Sequence, residues 1–287
     1  MSKFLSNAAV QEFDSEVKHE YQGTKTLRET VTVRTGVVGD AYKFTRMGKG
    51  LANQKATQAD VTPMDISHGR QSASLENWNA PEYTDIFDQA EVNFDEKSEL
   101  AMTIAKAIGR REDQLIIDAL HSITYAATND GDPDTGRAFD ISGSRNFDLD
   151  AIRSAKAHLD DIEADMDGRH LVLRSAALSK LLEDSTVTSS DFNSVKALVN
   201  GELDTFLGFK FHVLGTRAEG GLPGVASDRE AYAYHKSAIG LAIGMDMKTT
   251  IDWVAQKTSW LANGMFKAGC VAREAQGVVK IQYDEGV

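Results

Sequence analysis

Between Phe94 and Tyr125 apolar residues return at every third or fourth position, with Leu100, Ile104, Ile108, Leu115, Ala119 and Ile123 on one face and Ile116 and Leu120 beside it. That spacing predicts one long amphipathic α-helix. At 1.5 Å per residue it spans about 45 Å, longer than most globular helices, so the rest of the chain has to be arranged along a rod. Asn93 or Asp95 can cap its start, and the acidic first turn suits the helix dipole. Gly109, inside the helix, costs about 1 kcal/mol relative to Ala, which points to a close backbone approach or a bend there.

The stretch before the helix is equally constraining. From Arg46 to Ala80 the sequence RMGKGLANQKATQADVTPMDISHGRQSASLENWNA has little sustained periodicity, apart from brief strand signals at Val61, Met64 and Ile66 and from Ser72 to Leu75. Structureless connections longer than about 12–15 residues are uncommon inside compact domains. A disordered linker should be poor in apolar residues, yet Met47, Met64, Leu75 and Trp78 are here. The segment therefore reads as a long loop ordered by something outside its own domain. Upstream, Val10, Phe13, Val17 and Tyr21 predict a short amphipathic helix, and TVTVRTGVV from Thr30 and AYKFTR from Ala41 predict strands.

Downstream of the long helix, NDGDPDTGRAFDISGSRN (129–146) reads as a connector. An α/β alternation follows: helix 148–164, strand His170–Arg174, helix 176–183 capped by Ser175, helix 192–200 ending at Gly201, and strand Phe206–Leu214. After the polar loop TRAEGGLPGVASDRE, strand patterns return at AYAYH, TTIDWVAQ and VVKIQY, with Ala238 to Ile243 read as helical.

Sites of chemistry are hard to find. In DIEADMDGRHLVLR (161–174), Glu163, Asp165, Asp167 and Gly168 fit the first half of a calcium loop, but position twelve, where a bidentate Glu belongs, is Arg174. The stretch reads instead as a helix end turning at Gly168 into a strand. The seven histidines show no zinc-binding spacing, and His121 has only Asp118 one helical turn before it. His212 is expected to face solvent from its strand. GKGLAN, from Gly48, lacks the third glycine of a dinucleotide loop, and neither a phosphate loop nor a GxSxG elbow occurs. Cys270 is the single cysteine, expected as a buried small hydrophobe in a reducing compartment. No secretory signal or membrane span is expected, and a net charge of −12 opposes a phosphate-binding surface.

The order of elements, and four strings within it, resemble the tailed-bacteriophage major capsid proteins of the Hong Kong 97-type fold, podovirus-like in detail. APEYTDIFDQAEVNFDEKSELAMTIAKAIGRREDQLIIDAL resembles their passage from loop to spine helix. HLVLRSAALSKLLEDSTVTSSDFNSVKALVNGELDTFLGFKFHV resembles the axial domain, and AYHKSAIGLAIG with KAGCVAREAQGVVKIQYD resembles the return to the peripheral domain. The resemblance implies an α+β fold divided into an N-terminal arm (1–45), an extended loop (46–80), the spine helix with the first part of the peripheral domain (81–145), an axial domain (146–239) and a return to the peripheral domain (240–287). It implies no enzyme and no cofactor. The expected function is a shell of hexamers and pentamers enclosing double-stranded DNA without sequence-specific contacts. It also implies a virion protein assembled in the bacterial host cytoplasm, with a separate scaffolding protein, a portal protein and decoration proteins as partners. An encapsulin-type compartment is the related alternative, and a soluble metal-dependent enzyme the distant one.

Charge agrees with that placement. Residues 25–55 carry Lys25, Arg28, Arg34, Lys43, Arg46, Lys49 and Lys55 against Glu29 and Asp40, so seven minus two gives a local charge of +5. The acidic remainder of a neighbouring subunit is its natural counterpart. Arg46, Lys49, Lys55 and Trp78 are the candidate subunit-interface residues. Individually modest contacts, repeated over many interfaces, can close a shell through effective concentration.

Overall fold

The computed structural model describes residues 22–87, 96–126, 138–141, 147–183, 205–225 and 228–285. The helices expected over 10–21 and 192–200, and most of the connector 129–146, lie outside the described residues. In chain order the elements are β1 (Thr32–Arg34), β2 (Ala41–Met47), β3 (His68–Ser74), β4 (Glu76–Asp85), α1 (Glu96–His121), β5 (Tyr125–Ala126), β6 (Ala138–Ile141), α2 (Leu149–Asp161), β7 (Arg169–Arg174), α3 (Ser175–Glu183), β8 (Thr205–Phe206), β9 (Phe209–Leu214), β10 (Gly224–Val225), β11 (Asp228–His235), β12 (Ile239–Val254), β13 (Ser259–Ala272) and β14 (Val278–Asp284).

Three sheets are formed among the described residues. The first has the order β1-β12-β13-β4, with β12 and β13 paired as a long antiparallel hairpin from Ile239↔Ala272 to Val254↔Ser259. Helix α1 packs on it: Ile104 and Ile108 approach Gly264 of β13 so closely that a Cβ there would lie 2.4 Å from Ile104. The second sheet runs β5-β6-β14-β11-β7-β9-β8, with β10 also on β11. Its one face is covered by α2 and α3 through Ile152, Leu159, Ala177 and Leu181 against Leu171, Leu173, Ala233 and Ile281. Its other face joins the α1 core through Val172, Tyr232, Tyr234 and Val278. Burial on both faces explains why the strand HLVLR reads as an unbroken apolar run. The third sheet is the β2–β3 hairpin.

The helix ends tell why α1 stops where it does. It covers Glu96–His121, 26 residues and hence about 39 Å, against the 94–125 expected. Its C-terminal end is closed by the Tyr125 hydroxyl, which donates to the Leu120 carbonyl at 2.5 Å, and the chain leaves as β5. At Gly109 the arm crosses the helix: a Cβ would sit 3.2 Å from the Lys25 backbone nitrogen. The close approach expected there is what the structure shows. For α2, the Asp148 carboxylate accepts from the Ala151 amide at 2.9 Å, the usual N-cap bond.

Two sequence readings are corrected. Of Ala238–Ile243 only Ala238 is helical, as the end of a 3-10 turn: Ile239 opens β12, whose 16 residues pair with β13 over most of their length. An apolar run cannot be assigned by periodicity alone, and here the partner strand decides. Within 46–80, β3 and much of β4 are regular strand, β4 pairing with β13 from Asp85↔Ser259 to Glu76↔Ala268. Only 48–67 and Leu75 stand outside regular structure in that span.

Candidate assembly surface

The β2–β3 hairpin is rooted and then leaves the body. At its base Phe44, Ala73 and Leu75 pack on Ala242 of β12, with Val37, Tyr42 and Val271 around them. The Phe44 ring lies over Gly240, where a Cβ would come within 2.7 Å of it. Beyond Met47 the support ends. Residues 49–65 are all exposed, and they include Leu51 at 83%, Val61 at 75% and Met64 at 50%, with Met47 at 70% beside them. Burial of a Leu, Val or Met side chain is worth roughly 1.5–3 kcal/mol each, so four such side chains held in water form a surface that gains by meeting a partner. A second exposed apolar row, Met245, Met247, Ile251 and Trp253, runs along the outer half of β12.

The sequence candidates divide between these places. Arg46 lies on β2 opposite Gly69, half-buried. Lys49 begins the projecting tip and reaches Glu163 at 3.8 Å, a pair exposed on both sides and therefore of little weight. Lys55 sits in the middle of the tip, exposed. Trp78 is elsewhere: it is on β4, packed against the α1 core, with the Arg111 guanidinium 3.5 Å above its ring. The structure thus brings Arg46, Lys49 and Lys55 onto one projection and places Trp78 in the body.

Sequence reasoning missed the residues that hold the arm. Asp113 of α1 is fully buried, and its carboxylate accepts the Thr26 and Leu27 amides at 3.0 Å, with Arg217 at 3.4 Å. Burial raises its pKa, although both amides and Arg217 pull the other way. Beside it, buried Glu112 lies 3.4 Å from Arg28, whose guanidinium also makes a bidentate pair with Asp246 of β12 at 2.8 and 3.0 Å. Desolvation likewise raises Glu112. Arg28 is thereby neutralised within its own chain and contributes nothing to the outward charge counted above. The available signal was a pair of carboxylates, Glu112 and Asp113, interrupting an apolar stripe between Ile108 and Ile116.

The sites weighed for chemistry resolve structurally. At 161–168 the chain turns with Glu163 at φ 60° and Gly168 at φ +85°, and Arg169 donates to the Asp165 and Ala164 carbonyls and to Asp160. A cation of the chain itself fills the turn, as the helix-end reading requires. His121 contacts Glu230 at 2.9 Å, not Asp118, which instead accepts from Gln114. His212 does not simply face solvent: its Nε2 lies 3.1 Å from Nδ1 of buried His170. Cys270 packs against the α1 core, and burial pushes its thiol up to about 12. Among the described residues no group of three or more His, Cys, Asp or Glu is placed to hold a metal, and no helix is long and apolar enough to cross a membrane.

A long helix laid over one sheet, a second sheet with its own helices, an arm strapped to the helix and a hairpin thrown outward define a shell subunit of the Hong Kong 97-type fold. Solved structures agree. The capsid structure of cyanophage P-SCSP1u superposes with a TM-score of 0.76 over 100% of this chain and 96% of that one at 16% identity. The capsid of a native GTA particle does so with 0.74 over 98% and 97% at 16%. The acid-stable capsid of Helicobacter pylori bacteriophage KHP30 gives 0.73 over 99% and 98% at 11%. At such identities these likenesses establish the fold alone. No curated protein matches the sequence. The family model for phage capsid protein matches residues 5–285, and the chain belongs to that family. It is a structural protein of the virion shell, a major capsid protein that associates with its own kind.

Proposed function

We propose that the protein builds an icosahedral head of hexamers and pentamers around double-stranded DNA, with the β2–β3 projection as its principal grip on a neighbouring subunit. The observation that carries this reading is the tip 48–67, whose Leu51, Val61 and Met64 are exposed on a hairpin rooted by Phe44 and Leu75. Arg46, Lys49 and Lys55 on the same projection supply a positive charge that suits an acidic neighbour in a chain of net charge −12. Trp78 contributes indirectly, by fixing β4 against α1. The division into arm (1–45), extended loop (46–80), spine region (81–145), axial domain (146–239) and peripheral return (240–287) follows the same reading, with β4 tied to the peripheral sheet through β13. Assembly in the host cytoplasm, with scaffolding, portal and decoration proteins, completes the proposal.

The test is a tip deletion. Removing all of 46–80 would take β3 and half of β4 with it, so the informative variant replaces 48–67 by a short Gly-Ser turn. It should give folded, soluble subunits with wild-type unfolding midpoints that form no particles by electron microscopy with a candidate scaffold present. Normal shells from this variant refute the role given to the tip.

A further inference from the structure

Methionine is distributed against its habit in this chain. It ranks among the residues most often fully buried, yet no described methionine belongs to the core, which is built from Leu, Ile, Val, Ala, Phe and Tyr. Among the described residues Met47, Met64, Met102, Met166, Met245 and Met247 are exposed, and Met265 is half-buried on β13. Two of the exposed side chains are single: Met102 on α1, about one turn from Glu99 and from Lys106, and Met166 between Asp165 and Asp167. The other four lie on two apolar rows. Met47 and Met64 belong to the projection with Leu51 and Val61, and the Met64 thioether rests on Gly50 of the facing leg, where a Cβ would lie 3.2 Å from its Sδ. Met245 and Met247 share the outer half of β12 with Ile251 and Trp253. That half is also a free sheet edge: β1 pairs with β12 only from Gly240 to Ala242, and no described strand continues beside it. Unpaired edges of this kind are open to another chain.

We propose that Met47, Met64, Met245 and Met247 form an oxidation-sensitive contact with a second copy of the chain, in which conversion of their thioethers to sulfoxides by a peroxide blocks association. The inference rests on the role given above to the projection. A second copy is the occupant because one chain leaves both rows bare. Its own projection reaches Glu163 through Lys49, in the turn whose Gly168 carbonyl accepts the Lys236 amide just before β12. Trp253 lies at the other end of that strand, fourteen residues beyond Ile239 and hence about 46 Å away at 3.3 Å per residue. Thioethers suit a contact between copies: unbranched and polarisable, they adapt to partners that meet them at slightly different angles. The same sulfur is open to oxidation. Hydrogen peroxide gives one oxygen atom to it, the sulfur losing two electrons as the O–O bond breaks and the second oxygen leaving in water. The S=O group is a strong hydrogen-bond acceptor, and burying it in an apolar contact without a donor weakens association by on the order of tenfold per site. Once the contact has closed, the sulfurs are out of reach, so assembly and oxidation exclude each other.

The experiment treats full-length unassembled subunits with hydrogen peroxide, removes the oxidant, and measures by sedimentation the threshold concentration for particle formation with a candidate scaffold present. Peptide mass mapping locates the added oxygens, and the urea midpoint checks that the fold persists. Oxidation should raise the threshold at least about tenfold, and methionine sulfoxide reductases for the two epimers should restore it. The fourfold change Met47→Leu, Met64→Leu, Met245→Leu and Met247→Leu keeps the apolar surface, so it should assemble untreated and stay competent after peroxide. Met102→Leu combined with Met166→Leu should leave the sensitivity of the wild type unchanged. In finished particles the four methionines should oxidise several-fold more slowly than in free subunits. An unchanged threshold after full oxidation, sensitivity retained by the fourfold variant or lost from the double one, or equal oxidation rates in particles and subunits would each overturn the proposal. Should the fourfold variant not assemble, reductase rescue and protection of the four sulfurs decide. Particles from the 48–67 replacement would remove the underlying role of the projection, whereas loss of particles there with normal assembly of oxidised subunits removes this inference alone.

Discussion

Replacing Asp113 by Ala should detach the arm while leaving the body folded. The carboxylate is fully buried and serves three donors: the Thr26 amide, the Leu27 amide and Arg217. Removing it orphans the buried Leu27 N–H, at a cost of about 1–3 kcal/mol, and the partly exposed Thr26 N–H, which costs less. It also leaves Arg217, largely enclosed, without its counter-ion. Together these give a loss of about 3–5 kcal/mol, the range found when one partner of a buried charged pair is removed. Asp113→Asn should lose less. Burial is the largest influence on this carboxyl and raises its pKa, so the ionised form already carries a desolvation cost that Asn escapes. Asn also keeps one acceptor for Leu27, although its amide nitrogen then confronts Arg217. Urea unfolding of unassembled subunits measures the total, and amide hydrogen exchange at Thr26 and Leu27 localises it. In Asp113→Ala those two amides should lose protection while Ala233 and Val279, in the second sheet, keep theirs. Unchanged exchange at Thr26 and Leu27, or an Asn variant weaker than the Ala variant, would refute the idea that this carboxylate straps the arm to α1.

Gly269→Ala should destabilise the first sheet by about 1–3 kcal/mol through overpacking, because its Cβ would fall 1.9 Å from the Ser74 carbonyl oxygen and backbone cannot yield as a flexible side chain does; thermal unfolding checks this. In acid, His170 binds its proton only near pH 4 in the fold but near 6.5 unfolded. Between those values the unfolded chain holds more protons, so stability falls as pH drops through the window, by about 1–2 kcal/mol after allowance for solvent screening. His170→Gln should flatten that part of the profile in urea midpoints at about pH 7 and about pH 5. The triple change Leu51→Ser, Val61→Ser and Met64→Ser should leave the unfolding midpoint of the subunit within about 0.5 kcal/mol, as surface substitutions do, while sharply reducing particle yield by sedimentation.

What could be read from the residues, and what could not, follows from where each element finds its partner. Helix α1 was legible because Ile104, Ile108, Leu115 and Ala119 repeat with the period of the helix itself. The second sheet was largely legible too, since buried-on-both-faces strands such as β7 and β14 are short apolar runs between turns. Strand β13 was not. Its sequence SWLANGMFKAGCVA carries Gly264 and Gly269, which local propensity counts against a strand. Both glycines answer to neighbours distant in sequence: Ile104 and Ile108 at the first, the Ser74 carbonyl at the second. The same holds for Gly240 under Phe44. The positions that look weakest along the chain are those where another element comes closest, and no window of local sequence contains that element.

The assembly surface divides in the same way, and the division explains itself. Within the loop expected over 46–80, the part without regular structure was legible because its apolar residues had no period to organise them within the chain, and the structure leaves Leu51, Val61 and Met64 in water. The strap was not recognisable, because Glu112 and Asp113 meet partners 84 to 104 positions away, at Arg28 for the first and at Thr26, Leu27 and Arg217 for the second. A carboxylate pair in the apolar stripe of a helix is a defect if the helix packs on one side only. Once a second segment must be held on the other side, it is the means of holding it. On the proposed reading, in which the subunit presents an arm and a hairpin to its neighbours, the two tasks separate: apolar residues without an internal partner reach outward, and polar residues within an internal stripe anchor what does the reaching.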